Sequence, residues 1–368
     1  MSEVYIAATA RTPFGRYHGA LADYSAIQLG ELALRAVIRK AGVRSDQVEA
    51  VFAGNVLSEG LGQNPARQLA LGAGLTQATT AVTVNDVCGS SLKAIRMAEG
   101  QIRMGDFDLV AVGGTESMSN TPKEFMLKDG LIDAFSKKHM GLTAEKVADQ
   151  KHISRHEQDA FAYQSHTKAY SAWKNGWFKD EVVPVPELAY DENIRPDTSP
   201  EALAALKPVF KQNGSVTAGN ASPLSDGACM LLLASEKAVM DYNLHPIARL
   251  GAYAEVGIDP SVMGLAPHKA IAKLLAKTGR PLSDYDAIEI NEAFAATTVA
   301  VGKALGIPEY KLNPAGGALA IGHPLGASGA RIVGALANDL VQFDGVRGIA
   351  SLCIGGGQGI ALEIKRVR

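Results

Sequence analysis

The stretch TVNDVCGSSLKAI, residues 83–95, joins a short apolar strand to an amphipathic helix through a tight polar turn. The helix keeps apolar residues at helical spacing, and a second apolar strand at residues 108–112 follows it. Short apolar strands that alternate with amphipathic helices are typical of α/β proteins whose sheets are buried on both faces. The stretch therefore predicts an α/β fold built from strand, turn, helix and strand.

The same unit occurs again near the C-terminus. Residues 311–331 run from a short apolar segment through a glycine-rich stretch into a helix, and a strand at residues 348–352 follows. The preceding units also match, because residues 26–56 and 267–294 each give a helix, a polar turn and an apolar strand. Self-similarity of this kind predicts two similar halves related by a pseudo-two-fold axis.

Residues 116–231 lack the repeated pattern and are predicted to be an insertion in the first half. We place that half at residues 1–115 and 232–245, and the second half at 246–368. The insertion is predicted to be helical over residues 143–177. Long insertions are often functional, so this one is either a substrate lid or a surface or oligomer element.

Composition limits the functional class. The 368 residues carry a net charge of −2, so neither nucleic acid nor an anionic membrane is expected as a partner. Three cysteines without a Cys-x-x-Cys pair indicate a reducing compartment. No signal peptide and no uncharged apolar run of about 18 residues stand out, so we expect a cytoplasmic protein. No spacing of histidines, cysteines and carboxylates indicates a metal site.

Two of the cysteines lie in turns that suit a reactive thiol. Cys88 follows a strand and precedes a helix, where backbone amides and the helix dipole favour a thiolate. Cys353 is followed by Ile354 and three glycines, which let successive amides approach an oxyanion. The alternative for Cys353 is a glycine-rich phosphate cradle with a bystander cysteine, and the alternative for Cys88 is a buried small apolar side chain. Cys229 fits that alternative better, because four apolar residues follow it directly.

One histidine stands out as a base for such a thiol. His323 lies between Gly322 and Pro324, and a thiol nucleophile needs a proton acceptor. His139 is the second candidate. The histidines at 152, 156 and 166 lie in a polar helical stretch and are expected on a solvated face. Asn291 lies between a predicted strand and a helix. Its amide either holds a water or polarises a carbonyl, or it simply caps the helix; the local residues favour the cap.

At these positions the chain resembles the thiolase family, most closely its biosynthetic branch. The resemblance rests on collinear motifs along nearly the whole chain: Arg11-Thr12-Pro13-Phe14-Gly15, residues 62–67, the Cys88 turn, residues 113–119, His139-Met140-Gly141, residues 217–222, Asn291-Glu292-Ala293-Phe294, Gly322-His323-Pro324 and residues 353–357. It implies a five-layered αβαβα fold with two similar halves and an inserted loop domain that binds coenzyme A.

The resemblance also implies an activity. It is that of an acetyl-CoA C-acetyltransferase, which condenses two acetyl-CoA to acetoacetyl-CoA and coenzyme A by a reversible Claisen reaction and performs thiolysis in reverse. A degradative 3-ketoacyl-CoA thiolase of broader chain length is the alternative. A decarboxylating ketoacyl synthase is disfavoured because Cys353 is present. A non-catalytic acyl-CoA-binding relative needs no such set of reactive residues.

The residue roles implied by the resemblance are specific. Cys88 carries the acyl group, and His323 activates it and helps to stabilise the enolate. Cys353 moves the proton at the α-carbon of the second acetyl-CoA. Asn291, through a water, joins His323 in one oxyanion hole, and the backbone amides of Cys88 and Gly355 form the other.

The resemblance further implies a binding surface for the substrate. The residues expected to bind it are Ser222, His139, Met140, Arg195 and Phe294, with Ser222 and His139 near the pantetheine and Arg195 near the nucleotide. No cofactor is expected to be bound permanently, because coenzyme A thioesters are the substrates.

The chain departs from the family pattern at several places. Ser91 and Pro223 stand where glycine is usual, and Ala315 replaces a common asparagine. Either Ser91 crowds the acyl pocket or it only alters helix packing, while Pro223 restricts the backbone at Ser222. The chain is also short after Ser119, where tetrameric members carry a longer segment. We therefore expect a homo-oligomer that is a dimer rather than a tetramer.

Overall fold

The structure is a computed structural model that describes residues 3–367. The strands are β1 (Val4–Arg11), β2 (Gly15–Arg16), β3 (Ala50–Gly54), β4 (Thr80–Val84), β5 (Leu109–Ser117), β6 (Ser225–Ser235), β7 (Ala248–Gly257), β8 (Ala287–Ile290), β9 (Arg347–Ile354) and β10 (Gln358–Arg366). The helices are α1 (Ala26–Ala41), α2 (Pro65–Gly72), α3 (Ser90–Met104), α4 (Lys123–Phe125), α5 (Met140–Lys151), α6 (Arg155–Lys174), α7 (Pro200–Ala204), α8 (Glu236–Asp241), α9 (Ala266–Thr278), α10 (Ala295–Leu305), α11 (Ala318–Ile321) and α12 (Ser328–Gln342).

The strands repeat one pattern twice. They follow the order β4-β3-β5-β6-β1-β7-β10-β9-β8, with β2 attached to β6. Only two residue pairs join β1 to β7, so this contact divides the path into two mixed sheets. In each sheet a parallel pair, β3 with β5 or β8 with β9, continues into antiparallel strands. The outer edges differ, because the counterpart of β4 is reduced to a single bridge between Ile288 and Leu312.

Helices cover both sheets and fill the space between them. α3 and α12 contact each other in the middle, with α3 against β3 and β5 and α12 against β8 and β9. α1 covers the other face of the first sheet, and α9 covers the other face of the second. Leu92 and Ile95 of α3 and Ile332 and Leu336 of α12 are fully buried. Each such side chain contributes roughly 1.5–3 kcal/mol of burial. The five-layered αβαβα fold is confirmed.

The bounds of the insertion differ from the predicted ones. β5 ends at Ser117 and β6 begins at Ser225, so the boundary predicted between residues 231 and 232 falls inside β6. The strand cannot be divided there because β6 pairs with β5 on one side and with β1 on the other. Cys229 is buried on this strand, as its apolar neighbours predicted.

The helical part of the insertion is split in two. α5 ends where His152 adopts φ 53°, and α6 begins after Ser154, whose side chain forms a capping box with Glu157. α6 is 20 residues long and largely polar. Across residues 3–367, no helix combines the length and the apolar character needed to cross a bilayer.

Candidate active site

Cys88 lies in a tight turn between β4 and α3. Val87, just before it, has φ 48°, which is uncommon for a β-branched residue. The hydroxyl of Ser90 holds the turn, because it donates to the carbonyl oxygen of Val87 at 2.6 Å and accepts from the backbone N–H of Asp86 at 2.9 Å. The thiol is therefore presented directly ahead of the first turn of α3.

Burial dominates the electrostatics of the Cys88 thiol. Its side chain is 8% exposed, and burial raises its pKa to about 12. The backbone N–H of Gly355 and that of Cys88 itself act in the opposite direction, while the carboxyl groups of Asp86 and Glu116 add to the rise. Proximity to the helix N-terminus alone thus does not produce a thiolate, and the thiol needs a base.

Cys353 reaches the same place from the other half of the molecule. It lies near the end of β9, opposite Gly359 of β10, and is buried. Burial first, and then the neighbouring Cys88, raise its pKa to about 12. The approach of the two turns requires glycine at position 89, since a Cβ there would lie 2.4 Å from Cδ1 of Ile354.

His323 is a buried, oriented imidazole. Its Nδ1 lies 2.5 Å from the hydroxyl of Ser328, which itself donates to the carbonyl oxygen of Pro324 at 2.8 Å. The hydroxyl therefore accepts from Nδ1–H, and Nε2 carries the lone pair. Burial, with a smaller effect of Arg331, lowers the pKa of His323 to about 3. The imidazole is neutral and able to accept a proton at Nε2.

Asn291 completes the cluster. It directly follows β8, and its Nδ2 lies 3.4 Å from Nε2 of His323. Its Oδ1 is buried and has no hydrogen-bond partner among the described residues. The helix-cap interpretation is wrong, because α10 begins only at Ala295 and its N-cap residue is Phe294. The Asn291 side chain is turned towards the imidazole instead.

Together these residues provide acid–base chemistry on sulfur. Two protonated thiols and one neutral imidazole form a set that can pass protons and carry an acyl group. The backbone N–H of Gly355 is near enough to the Cys88 thiol to act against the rise in its pKa. Among residues 3–367 no group of histidines, cysteines and carboxylates is arranged to hold a metal ion.

An apolar wall borders the thiols. Met140 and Phe294 belong to the same buried cluster as Cys353, together with Phe210. His139 stacks on Phe210 with 4.7 Å between ring centroids, and its Nδ1 accepts from the backbone N–H that follows Met140. The structure therefore places two of the predicted substrate-binding residues, Met140 and Phe294, in the cluster of Cys353, and the third, His139, against Phe210.

Ser222 and Arg195 lie further out. The backbone N–H of Ser222 donates to the carbonyl oxygen of Ala293 at 3.0 Å, which places it beside the Phe294 segment. Its neighbour Pro223 lines a cleft of about 300 Å³, and Arg195 lies on the same cleft with an exposed side chain. Arg195 thus does not join the thiol cluster but borders the cleft that passes Ser222.

The prediction that His166 lies on a solvated face of α6 is wrong. The side chain is buried, and its Nδ1 accepts from the backbone N–H of Arg195 at 3.2 Å. Burial lowers its pKa to about 4. The small residues Ala162 and Ala169, one helical turn away on each side, are the sequence signal that this face is buried.

Two buried residues were missed by the sequence analysis. Both oxygens of Glu116 accept backbone N–H groups, including those of Val56 and Gly326, and burial raises its pKa to about 7. Glu116 thereby ties the loop after β3 to the loop of His323. Ser328, which orients His323, is the second. Its spacing of five residues from His323 was the only available signal.

The sequence matches two protein-family models along nearly its whole length. "Thiolase, N-terminal domain" matches residues 4–125 and 120–237, and "Thiolase, C-terminal domain" matches residues 244–366. A probable acetyl-CoA acetyltransferase of Escherichia coli (strain K12) is 45% identical over 391 aligned residues, with 100% of both chains covered.

Solved structures agree with these matches. The crystal structure of the Bacillus anthracis acetyl-CoA acetyltransferase superposes with a TM-score of 0.97 at 38% identity and covers 100% of this chain and 99% of its own. Human mitochondrial 3-ketoacyl-CoA thiolase in complex with CoA gives 0.96 at 39% identity, with coverage of 100% and 98%. The chain is therefore an acyltransferase that belongs to the thiolase family.

Proposed function

We propose that the protein is an acetyl-CoA C-acetyltransferase that condenses two acetyl-CoA to acetoacetyl-CoA and coenzyme A and performs thiolysis in reverse. The observation that carries the proposal is the meeting of Cys88 and Cys353 from opposite halves, together with a neutral His323 imidazole that Asn291 contacts. An acyl carrier, a second acid–base group and a proton acceptor are the parts that a two-step Claisen reaction needs.

In the first step Cys88 takes the acetyl group. Nε2 of His323 accepts the thiol proton, and the sulfur attacks the thioester carbonyl. Cys353 donates its proton to the departing thiolate of coenzyme A, so that free coenzyme A leaves and Cys353 becomes a thiolate. Covalent catalysis of this kind splits one difficult transfer into two easier ones.

In the second step the Cys353 thiolate removes a proton from the α-carbon of a second acetyl-CoA. The enolate oxygen is held by the protonated Nε2 of His323 and by a water bound to Asn291. The unpaired Oδ1 of Asn291 supports this role, because a buried acceptor without a donor costs roughly 1–3 kcal/mol. The enolate carbon attacks the acetyl group on Cys88, and the Cys88 thiolate that leaves recovers its proton from His323.

A second oxyanion forms on the carbonyl carried by Cys88. The backbone N–H groups of Cys88 and Gly355 are the proposed donors. Both already act on the Cys88 sulfur. Removal of one such fixed donor typically lowers kcat by about 10²–10³.

The pantetheine of coenzyme A is proposed to follow the apolar wall and then the outer cleft. The proposed binding residues are His139, Met140, Phe294, Ser222 and Arg195. The course from the thiols past Ser222 to the cleft with Arg195 supports this order. The relative solved in complex with CoA supports an acyl-CoA substrate. No permanently bound cofactor is proposed, and the cytoplasm remains the predicted compartment.

A broader chain length is the second candidate. It is favoured by the relatives named 3-ketoacyl-CoA thiolase, which superpose about as well as the acetyl-CoA acetyltransferase. The narrow wall favours the short substrate instead, since a Cβ on Gly355 would lie 3.2 Å from Val87 and 3.4 Å from Met140.

Thiolysis separates the two candidates. The purified protein is assayed with acetoacetyl-CoA and with 3-ketohexanoyl-CoA, by loss of the enolate absorbance. A clear preference for acetoacetyl-CoA supports the proposal. Activity on the longer substrate alone replaces it with the broader thiolase, and no thiolysis of either rejects both.

We further propose a homodimer. The edge strand β4 has a pairing partner on one side only among the described residues, and it borders an apolar cleft of about 300 Å³ with Met97 and Phe107. Val82 of this edge and Met97 are both more than a third exposed. An open strand edge with apolar neighbours invites pairing with another chain. Light scattering at micromolar concentration tests the assignment, and a tetramer would contradict it.

A further inference from the structure

Ser91, where the family usually has glycine, does not face the acyl pocket. It is the second residue of α3 and is fully buried. Its hydroxyl accepts the backbone N–H of Ala330 at 2.8 Å. The residue therefore contacts α12, the central helix of the other half.

α12 has no side-chain cap of its own. Its N-cap residue is Ala327, which offers no side-chain acceptor. The first backbone N–H groups of a helix lack partners within the helix, and an N-cap side chain usually serves the third residue. Ala330 is that third residue, so Ser91 of α3 takes over the cap from across the interface.

The two helix ends approach closely enough for this bond to set their spacing. A Cβ on Gly329 of α12 would lie 2.5 Å from the backbone nitrogen of Leu92 and 3.0 Å from the hydroxyl of Ser91. A side chain at position 329 therefore does not fit against α3. The Ser91 hydroxyl is thus the polar link across a backbone-to-backbone contact.

One linked helix end follows a reacting group, and the other carries the residue that orients a second reacting group. Cys88 lies three residues before Ser91, and Ser328, which orients His323, lies two residues before Ala330. We propose that Ser91 is a positioning residue that sets the geometry of proton transfer between the Cys88 thiol and His323. The inference rests on the proposed function and adds to it a residue that acts through α12.

The proposal predicts a specific kinetic change. Proton transfer between two groups is sensitive to their separation, and small misplacements cost large factors in rate. In Ser91→Ala, kcat for thiolysis of acetoacetyl-CoA should fall by about tenfold while KM for coenzyme A stays within about twofold. The apolar wall and the cleft are untouched by this change.

A second readout does not need turnover. Alkylation of Cys88 by iodoacetamide, followed by peptide mass spectrometry between pH 6 and 10, reports the thiolate that His323 helps to form. In Ser91→Ala its midpoint should move to higher pH. Ser91→Gly, which installs the usual family residue, is made in parallel in case the alanine variant does not fold, and the same shift is expected.

Ser235→Ala is the matched control. Ser235 is buried and accepts the backbone N–H of Ala238 at 3.0 Å, so it caps α8 in the same way but far from the thiols. This variant should be less stable to heat yet keep kcat and the alkylation profile. If Ser91→Ala behaves like Ser235→Ala, Ser91 is only a cap and the proposal fails.

The experiments distinguish a failure of the proposed function from a failure of the positioning role of Ser91. If the wild-type protein performs no thiolysis, the proposed function is rejected, and the alkylation profile still tests Ser91. If the wild-type protein is active and the Ser91 variants match it in both kcat and alkylation midpoint, the positioning role alone is rejected.

Discussion

The two halves of the molecule place different residues at equivalent positions. Gly114 of β5 pairs with Gly54 of β3, and Ser351 of β9 pairs with Ile290 of β8. Two residues beyond Gly114 the first half has Glu116. Two residues beyond Ser351 the second half has Cys353.

The loops that follow the shorter strands match in the same way. The first half has Asn55 after β3, and the second has Asn291 after β8. Asn55 donates to the Glu116 carboxylate at 2.9 Å, whereas the Asn291 amide faces His323. The Oδ1 atoms of both asparagines are buried without a partner among the described residues.

The equivalent residues Glu116 and Cys353 differ in role, because the first stabilises the structure and the second has a reactive side chain. The Glu116 carboxylate accepts backbone N–H groups from two loops and thereby joins these loops. The equivalent Cys353 keeps a thiol that is free to exchange a proton, because its surroundings are apolar. At these two pairs of equivalent positions, the first half thus has groups bonded within the protein, and the second half has a thiol and an amide that face the site.

The largest expected effect concerns the two thiols. Cys88→Ala and Cys353→Ala should each lower kcat for thiolysis by at least about 10³, since both carry covalent or proton-transfer steps. With acetyl-CoA, Cys353→Ala should still gain the mass of one acetyl group and Cys88→Ala should not. Cys229→Ala, a buried thiol on β6, is the control that keeps activity. An active Cys88→Ala variant would overturn the mechanism.

The equivalent asparagines provide the next test. Asn291→Ala should lower kcat by about 10² through loss of enolate stabilisation. Asn55→Ala should instead lower the free energy of unfolding by about 1–3 kcal/mol, because Glu116 loses a donor. Steady-state kinetics and urea unfolding of both variants decide this. Equal kinetic losses in the two variants would erase the distinction between the halves.

The buried imidazole predicts a pH dependence of stability. Burial lowers the pKa of His323 from 6.5 to about 3, so the native state binds fewer protons than the unfolded state between these values. Its contribution is complete above pH 6.5 and falls on acidification by up to about 1.4 kcal/mol per pH unit.

The measurement is urea unfolding at pH 7.5 and pH 5. His323→Gln should lose less free energy of unfolding between these pH values than the wild-type protein. His156→Gln, on the exposed part of α6, is the control and should show the wild-type loss. An unchanged loss in His323→Gln would mean that the imidazole is not buried as a neutral base.

The smallest effect concerns chain length. Met140→Ala should raise kcat/KM for 3-ketohexanoyl-CoA relative to acetoacetyl-CoA by roughly 10-fold, because it removes apolar volume from the wall beside Cys353. Parallel thiolysis assays of the two substrates measure the ratio. A ratio that stays at the wild-type value would show that another part of the wall limits the acyl chain.

Local features of the site were predictable from the sequence. The Cys88 turn follows from a strand, a glycine and a helix start within a dozen residues, and the repeat follows from comparing such units. The contacts that a residue makes with segments far away in the sequence were not predictable. Asn291 was assigned to a cap because His323, which its side chain faces, lies 32 residues away. His166 was assigned to solvent although Ala162 and Ala169 mark a buried face of α6, and its partner Arg195 lies 29 residues away.

The sequence by itself determined the repeated α/β units, the two reactive turns and the small-residue setting of His323, since these depend on neighbours a few residues apart. Only the tertiary structure decided that both thiols are un-ionised, that the imidazole is neutral and that Ser91 caps a helix of the other half. Burial and hydrogen bonding across the interface depend on every segment that surrounds a group, and in this chain those segments come from both halves.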